Sequence, residues 1–271
     1  MDGGIRVLLS TGPFLLTPLA RTFEIAAEAG FEGVEVAVTQ DRETQSAERL
    51  RGLSEEFGLA IPVLHGPFLL FTRWVWGADP KGKIDRCIDL AEEAGISVVV
   101  IHPPYRWQIR YGKWLAGEMA RMSAEGEVTV AVENMFPLRW RGRGVRVHRW
   151  TETDRLKRFP HLVLDTSHLA VSGRDIIEAF DDLHDRVAHI HLSNNSGKGR
   201  DSHSPLHQGV LPIGEFLTHV AASGYQGTIT LELNIRPYVD QRDRLIALLE
   251  ESRHLCLERL RMGVGSREER E

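Results

Sequence analysis

The sequence holds only two cysteines in 271 residues, Cys87 and Cys256, far apart and both inside helical patterns. That spacing excludes a disulfide framework, a CxxC redox pair and a closed thiolate zinc site, and it points to reduced thiols in a cytoplasmic protein. Long hydrophobic runs are missing as well. The apolar stretch near the start, Ile5 to Leu16, is broken by Gly12 and Pro13, lacks a basic flank and is far too short to span a bilayer. It reads as a strand and its loop, and no membrane partner is expected. Nor is there a large excess of one charge: a net −5 gives no global argument for nucleic acid or an acidic membrane. No linker or low-complexity segment interrupts the chain, and nothing in it sets an oligomeric state. What remains, 42% hydrophobic and 26% charged residues at a mean hydropathy of −0.22, is the composition of an ordinary globular chain with a sizeable core.

Strand and helix signals alternate from one end to the other. Apolar runs at Ile5–Leu9, Gly33–Val36, Ala60–Leu64, Ser97–Ile101, Val128–Val132, His161–Leu164, Val187–Leu192 and Thr228–Leu231 read as eight strands. Between them lie helical patterns: Thr17-Pro18 as N-cap and first turn leading to Gly30, Thr44 to Phe57, Asp79-Pro80 to Gly95, Trp114 to Ser123, a capping box at Thr151-x-x-Asp154, Arg174 to Leu183, Ile213 to Ser223, and Asp240 to Leu260. One junction recurs: Glu-Ala-Gly-Phe at 28–31, Glu-Ala-Gly-Ile at 93–96 and Ala-Ser-Gly-Tyr at 222–225 each place a glycine where a helix ends in the left-handed conformation. Eight continuous apolar strands joined by helices require a parallel sheet buried on both faces. A closed (β/α)8 TIM barrel of the α/β class leaves no edges and matches the length, so one domain is expected over 1–262, followed by a charged, glycine-rich tail at 263–271 that should fray.

In such a barrel, chemistry sits where the strands stop. The stopping residues here are His65, His102, Glu133, Asp165, His191 and Glu232, and loop residues just beyond add His168, Asp201 and His203. Twelve histidines placed at random would not concentrate so many at one rim. Imidazoles with carboxylates suit zinc, manganese, iron or cobalt. Nine donors exceed the needs of one tetrahedral ion, so one to three divalent ions are expected, with Glu133 able to share its two oxygens. His189 points the same way as His191 one layer deeper and reads as a hydrogen-bonded structural residue. His148, His161, His184, His219 and His254 read as solvated, and His207 is ambiguous.

The loops following three strands carry basic residues among aromatics: Arg73-Trp74-Val75-Trp76, Arg106-Trp107-Gln108-Ile109-Arg110, and an acid-free run from Arg139 through Arg141 to Trp150. Arg106, Trp107, Arg110, Arg139, Arg141 and Lys198 are candidates for contacting a phosphorylated substrate. The same residues would equally serve to cover the barrel top or to form an oligomer contact.

With Val-Glu-Asn at 132–134, Asp-Thr-Ser-His at 165–168, His-Ile-His-Leu at 189–192, Asp-Ser-His at 201–203 and Leu-Glu-Leu-Asn at 231–234, the chain resembles the xylose isomerase-like TIM barrel superfamily over nearly its whole length. The superfamily includes sugar isomerases and epimerases and the zinc-dependent AP endonucleases of the endonuclease IV type. The resemblance to the isomerases implies one metal, commonly manganese, at Glu133, Asp165, His191 and Glu232. The resemblance to the endonucleases implies three zinc ions held by these four together with His65, His102, His168, Asp201 and His203. Two chemistries follow. A sugar or sugar-phosphate isomerase or epimerase would use Glu133 and Glu232 as base and acid beside a carbonyl, with His168 on a substrate oxygen. A trinuclear-zinc phosphodiesterase would act on DNA or a small phosphodiester. The isomerase reading stands first, because the segments show no DNA-reading element.

Overall fold

The computed structural model describes residues 4–68, 72–125, 127–140, 143–151 and 153–268. Eight parallel strands close into a barrel: β1 (Arg6–Ser10), β2 (Gly33–Ala37), β3 (Ala60–His65), β4 (Val98–Ile101), β5 (Thr129–Glu133), β8 (Leu162–Asp165), β9 (Val187–Leu192) and β10 (Thr228–Leu231). Each pairs with its neighbour in the chain-ordered ring, and β10 returns to β1 with Leu8 opposite Thr230. The expected (β/α)8 barrel is therefore present. Two further strands, β6 (Leu138–Trp140) and β7 (Arg143–Val145), form a small antiparallel hairpin outside it, in the arginine-rich run that reads as a plain loop from composition.

The helical shell is made by α1 (Leu19–Glu28), α2 (Ala47–Phe57), α3 (Pro80–Ala94), α4 (Ile109–Glu125), α5 (Thr153–Leu156), α6 (Thr166–Val171), α7 (Ile176–Leu183), α8 (Ile213–Ala222) and α9 (Arg242–Glu268). Local chemistry explains most boundaries. Asp79 caps α3 by accepting from the amides of Lys81 and Gly82, Pro80 fills the first turn, and Gly95 ends it at φ 72°. Three boundaries differ from expectation. Pro18, not Thr17, occupies the N-cap of α1, and no side chain caps that helix. α4 begins five residues before Trp114, because Gln108 supplies both a side-chain acceptor for the Tyr105 amide and a carbonyl for the amide of Gly112. The final helix does not fray at Gly263: it continues to Glu268, and Gly263 is where it presses against α8, since a Cβ there would collide with the Thr218 carbonyl and Ala221.

Apolar residues on the outward faces of the strands pack against the helices in one continuous core, including Val34, Val99, Val130, Leu162 and Ile190, all at or below 1% exposure. Residues of the opposite parity fill the barrel interior. Leu8, Val63, Val100, Ala131 and Val163 form a separate buried apolar cluster there. The register jumps between Gly33 opposite Ala60 and Glu35 opposite Val63, so β3 carries one extra residue at Ile61-Pro62. A proline without an amide hydrogen is tolerated at such a bulge, and the extra residue turns Val63 and His65 inward.

Candidate functional site

The interior parity that buries Val63, Val100, Ala131 and Val163 places the residue two positions later at the C-terminal mouth: His65, His102, Glu133 and Asp165. His191 joins them from β9 and Glu232 from the residue after β10. Glu133 is the hub. Its Oε2 lies 2.8 Å from His102 Nε2 and 3.6 Å from His65 Nε2, while its Oε1 lies 3.2 Å from His168 Nδ1 and 3.4 Å from His191 Nδ1. His191 Nδ1 is also 3.4 Å from Glu232 Oε2 and 3.9 Å from Asp165 Oδ2. Seven of the nine expected donors thus converge on one place.

The backbone beyond the strands is tied down by side-chain amides and hydroxyls. Asn134 clamps β5 to β8 reciprocally: its Oδ1 accepts from the Asp165 amide at 2.6 Å and its Nδ2 donates to the Asp165 carbonyl at 3.1 Å. Asp165 caps α6 by accepting from the His168 amide at 2.7 Å, so His168 stands on a helix, not on the loop that the sequence suggests. Thr166 Oγ1 donates to the Ser193 carbonyl at 2.7 Å, joining α6 to the end of β9. Beyond it, Asn194 and Asn195 pin the 193–211 loop, and Ser167 Oγ donates to Asp201 Oδ1 at 2.6 Å. Asp201 Oδ2 in turn sits 2.8 Å from His203 Nε2 and 3.4 Å from His168 Nε2. His203 itself has φ 39°, a left-handed backbone that costs a non-glycine residue of order 1 kcal/mol or more and is held by the Asn234 amide on its carbonyl.

Electrostatics follow from this crowding. Burial opposes ionisation of Glu133, but His102 and then His168 outweigh it and hold the carboxyl well below its ordinary range. Burial also works against a charge on His168 and on His191, yet the surrounding carboxylates, Asp165 first for His168 and Glu35 first for His191, raise both well above an ordinary imidazole. Asp165 moves the opposite way to Glu133: burial pushes it up to about 6, with His168 and His203 opposing. His102 goes down, because burial outweighs its contact with Glu133.

Three buried carboxylate oxygens, Glu133 Oε2 and Asp165 Oδ2 at the mouth and Glu35 Oε1 deeper in the barrel, have no hydrogen bond, the first despite its short approach to His102. Orphaned anionic oxygens in the barrel mouth are costly unless a cation meets them. Donor atoms of His65, His102 and Glu133 lie within 4.8 Å of one another, as do those of Glu133, Asp165 and His191, and those of Asp165, His168 and His203. The residues present therefore fit a divalent cation in donor type and spacing.

Above the donors opens a cleft of about 360 Å3, whose walls include Leu15, Val38, Pro67, Met135, Phe136 and Val147, and whose floor carries His65, His102, Glu133, His168, His203 and Glu232. Sequence reasoning missed two contributors. His148, read as solvated, is 6% exposed, shares a hydrogen bond with the Pro103 carbonyl and lines the cleft beside Tyr105, their rings 4.4 Å apart. Glu35, in the middle of β2, is fully buried and meets both His189 and His191. Mid-strand position gave no signal for it.

The basic residues fall elsewhere. Among the described residues no lysine or arginine lines the cleft. Arg106, Trp107 and Arg110 stand exposed beside it, with Trp107 stacked on Tyr105 at 4.7 Å, and Lys198 is exposed on its loop. Arg139 lies in β6, described by its backbone, and Arg141 lies outside the described residues.

Fold and site together define a parallel (β/α)8 barrel with an imidazole and carboxylate centre at its C-terminal mouth. The chain belongs to the xylose isomerase-like TIM barrel family, whose sequence pattern matches residues 23–255. It is 33% identical over 253 residues to an uncharacterised protein of Mycobacterium tuberculosis (strain ATCC 25618 / H37Rv), covering 86% of this chain and 90% of that one. It is 31% identical over 265 residues to an uncharacterised protein of Mycobacterium leprae (strain TN), covering 91% and 95%. Among solved structures it superposes on a D-tagatose 3-epimerase-like protein with a TM-score of 0.71 at 20% identity, covering 94% of this chain and all of that one. It also superposes on an L-ribulose 3-epimerase with a TM-score of 0.67 at 15% identity, covering 97% of each. At these identities the superpositions establish the fold. Among the described residues, no helix is long and apolar enough to cross a membrane.

Proposed function

We propose that the protein is a divalent-metal-dependent isomerase or epimerase of a small sugar. The observation that carries this reading is the pair Glu133 and Glu232, both on the floor of one cleft and both 3.4 Å from the same nitrogen of His191. Glu133, Asp165, His191 and Glu232 would hold the cation, which when bound supplies the Lewis acidity that makes a proton next to a carbonyl removable.

The protein's own groups do the rest. Glu133, kept ionised by His102 and His168, is poised to accept a proton from the carbon beside the carbonyl. Glu232, whose side chain is 24% exposed to the cleft, returns one from the other side. Proton return to the same carbon with opposite face gives an epimer, and return to the neighbouring carbon gives an isomer. His168, positioned by its ring contact with the Asn134 carbonyl at 2.8 Å, meets a substrate oxygen. The apolar walls around Phe136 and Val147 keep bulk water from the site. A cleft without arginine or lysine among its described lining residues suits an uncharged sugar better than a phosphate ester, and the epimerases of similar fold are named for free sugars.

One observation favours a second reading, the zinc phosphodiesterase. The three donor groups around Glu133 and Asp165 offer places for more than one ion, and Asp201 with His203 adds donors that a mononuclear isomerase does not require. Metal analysis separates the two. One bound ion per chain, with deuterium uptake from heavy water into a ketose, supports the isomerase. Three zinc ions, with cleavage of a phosphodiester and no deuterium uptake, would replace it with the hydrolase.

A further inference from the structure

Below the donors, inside the barrel, lies a second ionisable group, of which this mechanism uses only His191. Glu35 and His189 are fully buried and His191 is 1% exposed. Glu35 Oε2 is 2.8 Å from His189 Nε2 and 3.1 Å from His191 Nε2. The other nitrogen of His189 is 2.7 Å from Thr228 Oγ1, on the neighbouring strand β10. Three donors this close raise the thought of a buried metal site. The chemistry of His191 argues against it. A neutral imidazole has one lone-pair nitrogen, so if His191 Nδ1 serves a cation at the mouth, its Nε2 carries the proton and cannot ligate a second ion here, and 2.8 and 3.1 Å are hydrogen-bond lengths.

The arrangement fits a different task. A carboxylate has no proton to give, so each imidazole must donate its Nε2–H to Glu35. For His191 that leaves Nδ1 as the free donor, and Nδ1 is the atom that faces Glu133 and Glu232 at 3.4 Å and Asp165 at 3.9 Å. For His189 it leaves Nδ1 to accept from the Thr228 hydroxyl. Thr228, His189, Glu35 and His191 then form one directed chain of hydrogen bonds running from the barrel wall to the site.

We propose that Glu35 is a positioning residue for the metal centre: it fixes the ring of His191 and raises the donor strength of its Nδ1, with His189 and Thr228 bracing the carboxylate from behind. The proposal rests on the reading of the site as a divalent-cation centre, and on neither of the two reactions in particular. Carboxylates in this relation to a ligating histidine typically change metal affinity by about ten- to a hundredfold.

The test is calorimetric titration of zinc and of manganese into metal-free full-length protein, with melting of the metal-free form alongside. Glu35→Gln keeps the size and an acceptor oxygen but removes the charge. The expected result is a dissociation constant raised by about ten- to a hundredfold. A dissociation constant within about twofold of wild type overturns the proposal, and so does a variant that melts lower when metal-free yet binds as tightly, because that is a purely structural role. Should Glu35→Gln not fold, Thr228→Val removes the far end of the chain. It is expected to weaken binding by roughly three- to tenfold, and unchanged affinity there overturns the proposal. Wild-type protein that binds neither metal overturns the reading of the site and this inference together; equal binding by wild type and variants overturns this inference alone.

Discussion

Two sides of the barrel interior differ in a way that the outer shell does not. On one side, β3, β4, β5 and β8 place an apolar residue beneath each site donor: Val63 under His65, Val100 under His102, Ala131 under Glu133 and Val163 under Asp165, and Leu8 reaches the same cluster from β1, which stands between β10 and β2. On the other, β2, β9 and β10 place Glu35, His189, Thr228 and Thr230 at comparable depth, all buried or half-buried. The apolar side needs only to be filled, and any residue of the right volume serves. The polar side depends on specific partners, Glu35 Oε2 with two imidazoles and His189 with Thr228, while Glu35 Oε1 and Thr230 Oγ1 are buried without a hydrogen bond. Polar groups are placed in a barrel interior at a cost, so the asymmetry marks the side that supports His191.

Substitutions that break this contrast should have the largest effects. Val100→Asp puts a carboxyl among the buried apolar side chains Val63, Ala131 and Val163. It should lower stability by about 4 kcal/mol or more, enough to eliminate folded protein in a urea titration. Glu133→Gln changes chemistry instead. It should cut deuterium exchange by about 10²–10⁴-fold and lower bound metal, while circular dichroism stays that of the folded protein.

The third prediction concerns acid. Burial holds His148 at about 4, well under an ordinary imidazole, so the unfolded chain takes up a proton near pH 6.5 that the folded chain refuses. Stability from this residue is complete above about pH 6.5 and is lost as the pH falls towards 4, by roughly 3 kcal/mol at the acid end. His148→Gln should flatten that part of the stability profile in chemical denaturation between pH 4 and 7. The smallest effect belongs to the exposed rim. Arg106→Ala with Arg110→Ala should change stability by no more than about 0.5 kcal/mol and leave turnover of an uncharged sugar near wild type. A large loss with a sugar phosphate, measured side by side, would reinstate the rim as a phosphate contact.

Much of this was legible without coordinates, for a physical reason. In a parallel barrel the last residue of each apolar run is both the end of a strand and a position on the rim, so His65, His102, Glu133, Asp165, His191 and Glu232 announce themselves. Glu35 did not, because it sits mid-strand between Val34 and Val36, and an acid between two apolar residues looks like one turned to solvent. Its partner His189 is 154 residues away. His148 was hidden by its arginine-rich neighbours, which suggested a solvated loop, whereas the Pro103 carbonyl and the Tyr105 ring enclose it. Asp165-Thr166-Ser167-His168 carries a helix start, an aspartate three residues before the amide that it caps, with only six helical residues behind it to strengthen the pattern.

The most direct test of the account is turnover of ketoses in heavy water by wild-type protein reconstituted with a divalent metal. The account predicts deuterium incorporated at the carbon next to the carbonyl, dependent on the metal and lost in Glu133→Gln. Metal-loaded protein that incorporates no deuterium into any ketose, while hydrolysing a phosphodiester, would contradict it.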